Sequence, residues 1–175
     1  FGRAELSAMG ALVDYLDLTQ RGRLPLLRAP RRERGGGTMQ IDAATRRNLE
    51  ITQGAGGGRD GSLIAATDRT VTAAGGRLLE RRLSSPSCDL ARIRARHDAV
   101  AHLAEDRALA GALRRALRQV PDIDRALSRL ALERGGPRDL AAIRAGLAQA
   151  AEVAGLLCGE LPEGLAAAHG ALSGH

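Results

Sequence analysis

Met39-Gln-Ile-Asp-Ala-Ala-Thr-Arg-Arg-Asn-Leu-Glu-Ile51 is followed, across a glycine-rich break, by Asp60-Gly-Ser-Leu-Ile-Ala-Ala-Thr-Asp-Arg-Thr-Val-Thr-Ala-Ala-Gly-Gly-Arg-Leu-Leu79. Both halves carry helix-start chemistry. Asp42, Ser62 and Thr72 each put a side-chain oxygen where a helix leaves its first backbone N–H groups without partners. The stretch therefore predicts three short helices in series: Ala43 to Thr52, Ser62 to Arg69 and Ala73 to Ser84. Leu49 is expected to face inward on the first, and Pro86 to close the third. Met39-Gln40-Ile41 has extended character, and Gly54 to Gly61 is a loop.

Helical periodicity continues on both sides. Leu6, Met9, Leu12, Val13 and Leu16 form one stripe over residues 4–19, with Gly22 as a stop. Residues 23–38 have linker composition: Pro25, Pro30, the basic run Arg31-Arg32-Glu33-Arg34 and three glycines. Downstream, Asp89 caps a helix marked by Leu90, Ile93, Val100 and Leu103. Leu109, Leu113, Leu117 and Val120 mark the next, which Pro121 stops. Ile123, Leu127, Leu130 and Leu132 mark a third, ended by Gly135-Gly136. Pro137 opens a fourth with Leu140, Ile143, Leu147 and Val153 or Ala154. The tail after Cys158, with Pro162 and several glycines, reads as weakly helical at best. The expected fold is all-α, an irregular multi-helix bundle with one short extended segment near residues 39–41.

Composition removes several function classes. The 175 residues hold one Phe, one Tyr and no Trp, so there are too few aromatic faces for a base-stacking platform. All 26 basic residues are Arg, which together with heavy Ala and Gly use points to coding bias in a GC-rich genome. The formal charge of +6 is spread along helices that also carry acidic residues, the pattern of a solvated surface. Cys88 and Cys158 lack metal-type spacing, and a reduced, cytoplasmic setting is expected. No apolar run approaches the roughly 20 residues that a membrane span needs.

Motifs for chemistry fail on context. Gly56-Gly-Gly58-Arg-Asp-Gly61 satisfies G-x-G-x-x-G, but a dinucleotide site needs a preceding strand, and a helical pattern stands there instead. The same stretch puts Ser62 where a phosphate loop needs Lys, and the chain has no Lys. His97 and His102 are five apart, which turns them away from a shared helical face. Asp122 and Asp124 flank Ile123 at a helix start, where carboxylates favour the positive end of the helix dipole. No nucleophile accompanies them, and capping is their expected role. No catalytic, cofactor-binding or metal-binding residue is assigned.

The order M-x-I-D-x-A-T-x-R-N-L-E, then D-G-S-L, then D-R-T-x-T-x-x-G-x-R-L-L, resembles the start of the core (lever) domain of the MutS family, DNA mismatch-recognition ATPases. Pro121-Asp-Ile-Asp-Arg-Ala-Leu-Ser-Arg-Leu130 and Pro137-Arg-Asp-Leu-Ala-Ala-Ile-Arg144 resemble later helices of that domain. The resemblance implies that residues 1–22 are the last helix of a connector domain, 23–38 a linker and 39–175 the N-terminal part of the core domain. It implies a longer bacterial, cytoplasmic parent, an expectation that the start at Phe1 rather than Met also favours. That parent would bind mismatched double-stranded DNA, hydrolyse ATP with Mg2+ in a separate domain, form a homodimer and work with a MutL-type repair partner. The segment itself would bind no cofactor and catalyse nothing. It would expose apolar surface when alone.

Under this reading Asp42, Asn48, Ser62, Asp68, Thr70, Thr72 and Arg77 are candidate structural or coupling residues, holding helices that must move as a unit. Three positions depart from the family pattern: Arg82 where Trp is usual, Ser87 where Leu is common, and Thr67 where a large aliphatic is usual. At buried sites each loss would cost about 2 to 5 kcal/mol. The rival reading is a free-standing basic helical module that binds nucleic acid or protein without catalysis.

Overall fold

The computed structural model describes residues 1–22, 24–25, 27–32 and 37–174. Within the expected linker, Arg23, Leu26, Glu33, Arg34, Gly35 and Gly36 lie outside the described residues, as does His175 in the tail.

Helix α1 (Arg3–Gln20) opens with Glu5 reaching back to the Gly2 amide and ends at Arg21, which adopts a left-handed conformation. Side-chain oxygens of Asp42, Ser62, Thr72, Asp89, Asp106 and Asp122 then cap α2 (Ala43–Asn48), α3 (Leu63–Thr67), α4 (Ala73–Ser84), α5 (Leu90–Glu105), α6 (Arg107–Leu117) and α7 (Ile123–Ala131). Helix α8 (Pro137–Leu156) starts with Pro in its first turn and Asp139 accepting from the Gly136 amide. Helix α9 (Glu163–Leu172) follows Pro162. The all-α class holds.

Three local expectations are corrected, and the extended segment is present. Helix α2 stops at Asn48, short of Thr52, because Glu50 turns left-handed (φ 49°) and breaks the helical period. That turn puts Ile51 inside, at 4 % exposure, and leaves Leu49 outside at 59 %. Extended pairing begins at the expected segment near residues 39–41. Thr38 bridges Ser87 in antiparallel sense, the Met39 amide donates to the Pro86 carbonyl (2.8 Å), and Cys88 donates to Gly37 (3.1 Å). Residues 163–172 form a full helix where weak structure was expected. Packing against α5 overrides the low propensity of its glycines, and Gly164 lies 3.6 Å from the Ala95 carbonyl oxygen, measured from the position a Cβ would take.

The core sits between α6, α8 and α9. Leu113, Ala116, Val153 and Leu157 are buried together, with Leu103, Leu109, Leu117, Leu156, Leu161 and Leu172 packed around them. Alongside, α7 lies on α8, where buried Gly146 faces the Ile123 side chain. Small residues thus bring the helices close. Several large residues that marked the expected stripes, including Leu90, Val100, Leu127 and Leu140, are exposed instead. The stripe of α1 is also uncovered, with only Met9 and Leu16 half-buried. Among the described residues no helix is long and apolar enough to cross a membrane.

Candidate functional site

Residues 50–77 bond the turn after α2, helix α3 and the start of α4 into one junction. The Leu63 amide donates to the Glu50 carbonyl (2.9 Å) and the Ile64 amide to the Ile51 carbonyl (3.0 Å), which clasps the start of α3 onto the turn after α2. Ile51 and Ile64 are buried beneath this clasp with Ser62, a polar side chain that is 1 % exposed. Burial of a hydroxyl requires partners. Ser62 Oγ has both kinds: it accepts the Ala65 amide (3.2 Å) and donates to the Arg59 carbonyl.

The glycine loop closes on itself. Gly54 donates its amide to the Gly58 carbonyl (2.8 Å), and Gly57 donates to Gly54 (2.9 Å). A Cβ at Gly54 would collide with the Asp60 carbonyl oxygen, so only glycine fits there. The G-x-G-x-x-G spacing therefore serves a tight turn. The Gly54 and Gly57 amides are turned onto the loop's own carbonyls, and the helix that follows has only five residues, short of the helix N-terminus that a phosphate loop uses. Among the described residues no group of three His, Cys, Asp or Glu side chains could hold a metal ion.

Asp68 is the hub of the junction. Its Oδ1 accepts from the Thr70 amide (2.9 Å) and the Thr70 hydroxyl (2.7 Å), while Oδ2 pairs with Arg59 from the glycine loop. The Thr70 hydrogen bonds, then the Arg59 charge, hold its carboxyl below the usual aspartate range. Thr72 Oγ1 accepts the Gly75 amide (3.0 Å) and starts α4 afresh two residues later. Asp42 accepts both the Thr45 amide and the Thr45 hydroxyl at 2.8 Å, and these bonds lower its pKa. Asp42 works one helix away from the hub. Asn48, exposed at the end of α2, takes part in none of these bonds.

Two arginines carry the junction onto the helices behind it. Arg77 of α4 forms a two-pronged pair with Asp122, its two terminal nitrogens 2.9 and 2.7 Å from the two carboxylate oxygens. Asp124 lies 3.5 Å from the same guanidinium. The Arg77 hydrogen bond holds the Asp122 carboxyl low, and Asp122 in turn raises the Arg77 pKa. Arg114 of α6 donates to the Arg69 carbonyl (2.8 Å). Sequence reading found Arg77 and the cap at Asp122 but not their union. Arg59 and Arg114 had no signal at all, because partners 9 and 45 positions away leave no local pattern.

The three departures from the family pattern do not open holes. Thr67 is exposed and bonds the Leu63 carbonyl (2.8 Å), and Ser87 accepts the Asp89 amide (3.2 Å). Arg82 is largely exposed at the edge of a groove of about 730 Å³ between α5 and α9. Partial burial, then the neighbouring Arg96 charge, lower its pKa. None of the three side chains is buried within this chain, so no packing penalty arises inside it.

A family model described as MutS domain III matches residues 44–169. The chain is 68 % identical, over all 175 residues, to the DNA mismatch repair protein MutS of Cereibacter sphaeroides. Proteins of the same name from Paracoccus denitrificans and Roseobacter denitrificans are 65 % identical over 175 residues and 60 % identical over 176. In each case the whole chain is covered but only 20 % of the relative, so the chain spans about a fifth of the length of these curated proteins. With matches of this extent across both motif blocks, the chain belongs to the MutS family.

Proposed function

We propose that this segment is the helical lever of a DNA mismatch repair protein, transmitting between a DNA-gripping clamp and an ATPase domain that lie elsewhere in the same polypeptide. In this reading residues 1–22 end a connector domain, 23–38 link it, and 39–175 begin the core domain. ATP and Mg2+ are held by the ATPase domain. The whole protein works in the bacterial cytoplasm as a homodimer on mismatched double-stranded DNA, with a MutL-type partner.

One observation supports transmission above the others. Asp68 joins the glycine loop, the end of α3 and the Thr70 turn into a single unit, through side-chain bonds that a mere helix stop does not require. A rigid unit can pass on a displacement when both distant sites bias the same element. The test is Asp68→Ala in the complete protein. It is expected to retain mismatch binding without nucleotide and ATP turnover without DNA, while losing the dependence of turnover on the mismatch. Unchanged dependence would reduce Asp68 to a helix cap.

A further inference from the structure

We infer that Asp122 is the positioning residue through which the junction moves the helices behind it, and that Arg77 can exchange between Asp122 and Asp124 as it does so. The inference deepens the lever reading and rests on it.

Asp122 serves two elements at once. It caps α7 by accepting the Arg125 amide (3.3 Å), and it receives both prongs of Arg77 from α4. A displacement of α4 therefore pulls on the first turn of α7. Helix α7 is packed on α8, where Ile123, the residue next to Asp122, faces Gly146. Helix α8 then carries the pull from Gly146 to Val153 and the bundle core, seven residues or roughly 10 Å along its axis.

The connection includes charged contacts that a fixed apolar joint would lack. Among the described residues, none of the side chains packed around the Leu113–Leu157 cluster comes from residues 37–88. Helix α4 has no buried residue. The contacts that cross to α6 and α7 include the Arg77 fork and the Arg114 bond to the Arg69 carbonyl, and such bonds can be remade without opening a cavity. A second seat for Arg77 is already present. Asp124 lies 3.5 Å away, with a side chain 75 % exposed against 24 % for Asp122. Moving the guanidinium between the two carboxylates shifts α4 along the α7 start while keeping a charged partner.

The test uses the full-length protein, a perfectly paired duplex and the same duplex with one mismatch. Asp122→Asn keeps a good capping side chain but loses the charged fork, and Arg77→Lys keeps the charge but loses the two-pronged geometry. Each is expected to lower the mismatch-dependent stimulation of ATP turnover roughly 3- to 30-fold. DNA-free turnover and nucleotide-free mismatch binding should be unchanged. Asp124→Asn is expected to change the stimulation less than Asp122→Asn, and Arg77→Lys with Asp122→Asn together should do no more than either alone. If Asp68→Ala uncouples the protein while Asp122→Asn and Arg77→Lys do not, the positioning role is overturned and the lever reading stands. If turnover of the unaltered protein ignores the mismatch, both are overturned. Additive effects of the two substitutions would also overturn the pair.

Discussion

Replacing Gly54 by alanine tests whether the glycine loop is a packing device. The new methyl group would lie closer to the Asp60 carbonyl oxygen than the 3.0 Å that real Cβ atoms respect, 3.2 Å from its carbon and 3.5 Å from the Gly61 carbonyl carbon. All three are backbone atoms, so no side-chain rotation relieves the clash. The limbs of the loop must part, and the Gly54 amide bond to Gly58 (2.8 Å) is strained or lost. Overpacking costs about 1–3 kcal/mol, and the net loss of a hydrogen bond adds about 0.5–1.5 kcal/mol. The sum, about 2–4 kcal/mol, falls on the clasp formed by the Leu63 and Ile64 amides. Their hydrogen exchange, followed by NMR on this chain, should accelerate roughly 30- to 700-fold. Gly56 and Gly58 supply the control, since nothing lies within 4 Å of a Cβ at either. Alanine there should be neutral, or stabilising by about 0.4–1 kcal/mol through the unfolded chain. Exchange at Leu63 and Ile64 that ignores Gly54→Ala, or responds equally to Gly56→Ala, would refute the packing account.

Three other outcomes follow from the same geometry. Ser62→Ala removes a buried hydroxyl with two partners and should cost about 1–2 kcal/mol in urea unfolding of the chain. Leu113→Ala, in the α6–α8 core, should cost about 2–5 kcal/mol, whereas Leu140→Ala, on an exposed face, should stay within about 0.5 kcal/mol; equal losses would misplace the core. Glu5, Asp42, Asp68, Asp122 and Asp139 all have carboxyls held below their ordinary values. A lowered folded pKa contributes stability above the unfolded value and loses it as pH falls through the folded one. Thermal melts should therefore be flat at neutral pH and drop as the solution is acidified below about pH 4, and a melting temperature that rises on acidification would contradict the assigned partners.

Short-range chemistry was legible in the sequence and long-range partnership was not. Asp42, Ser62 and Thr72 announce themselves because a cap and the amide it serves lie within one turn. Ile51 was missed because one left-handed residue, Glu50, resets the period, and no local pattern marks a non-glycine residue at positive φ. The buried face was misjudged for a related reason. Large aliphatics set the expected stripes, yet Ala116, Ala126 and Gly146 are buried while Leu127, Leu140 and Leu147 are exposed. Small residues permit close helix approach, and their weak hydrophobicity hides that role in a hydropathy pattern.

That distribution of small residues also says where a displacement can occur. Inside the bundle the helices interlock: Gly146 lies against Ile123, Gly164 against Ala95 and Ala99, and Leu113 and Leu157 are buried in one cluster. Sliding any of these pairs would force close contacts to overlap or open a cavity, and close-packed interiors resist both. At the corner of α4, α6 and α7 the joining groups are guanidiniums at the surface, which can exchange acceptors while water covers the intermediate positions. A shift is therefore cheapest at Arg77 and Arg114 and most costly between α7 and α8. Those two helices should move as one piece. The same reasoning assigns opposite signatures to two kinds of substitution: filling Gly146 should reduce stability while leaving the Arg77–Asp122 geometry in place, and removing Arg77 should loosen the corner while leaving the Leu113 core protected from exchange.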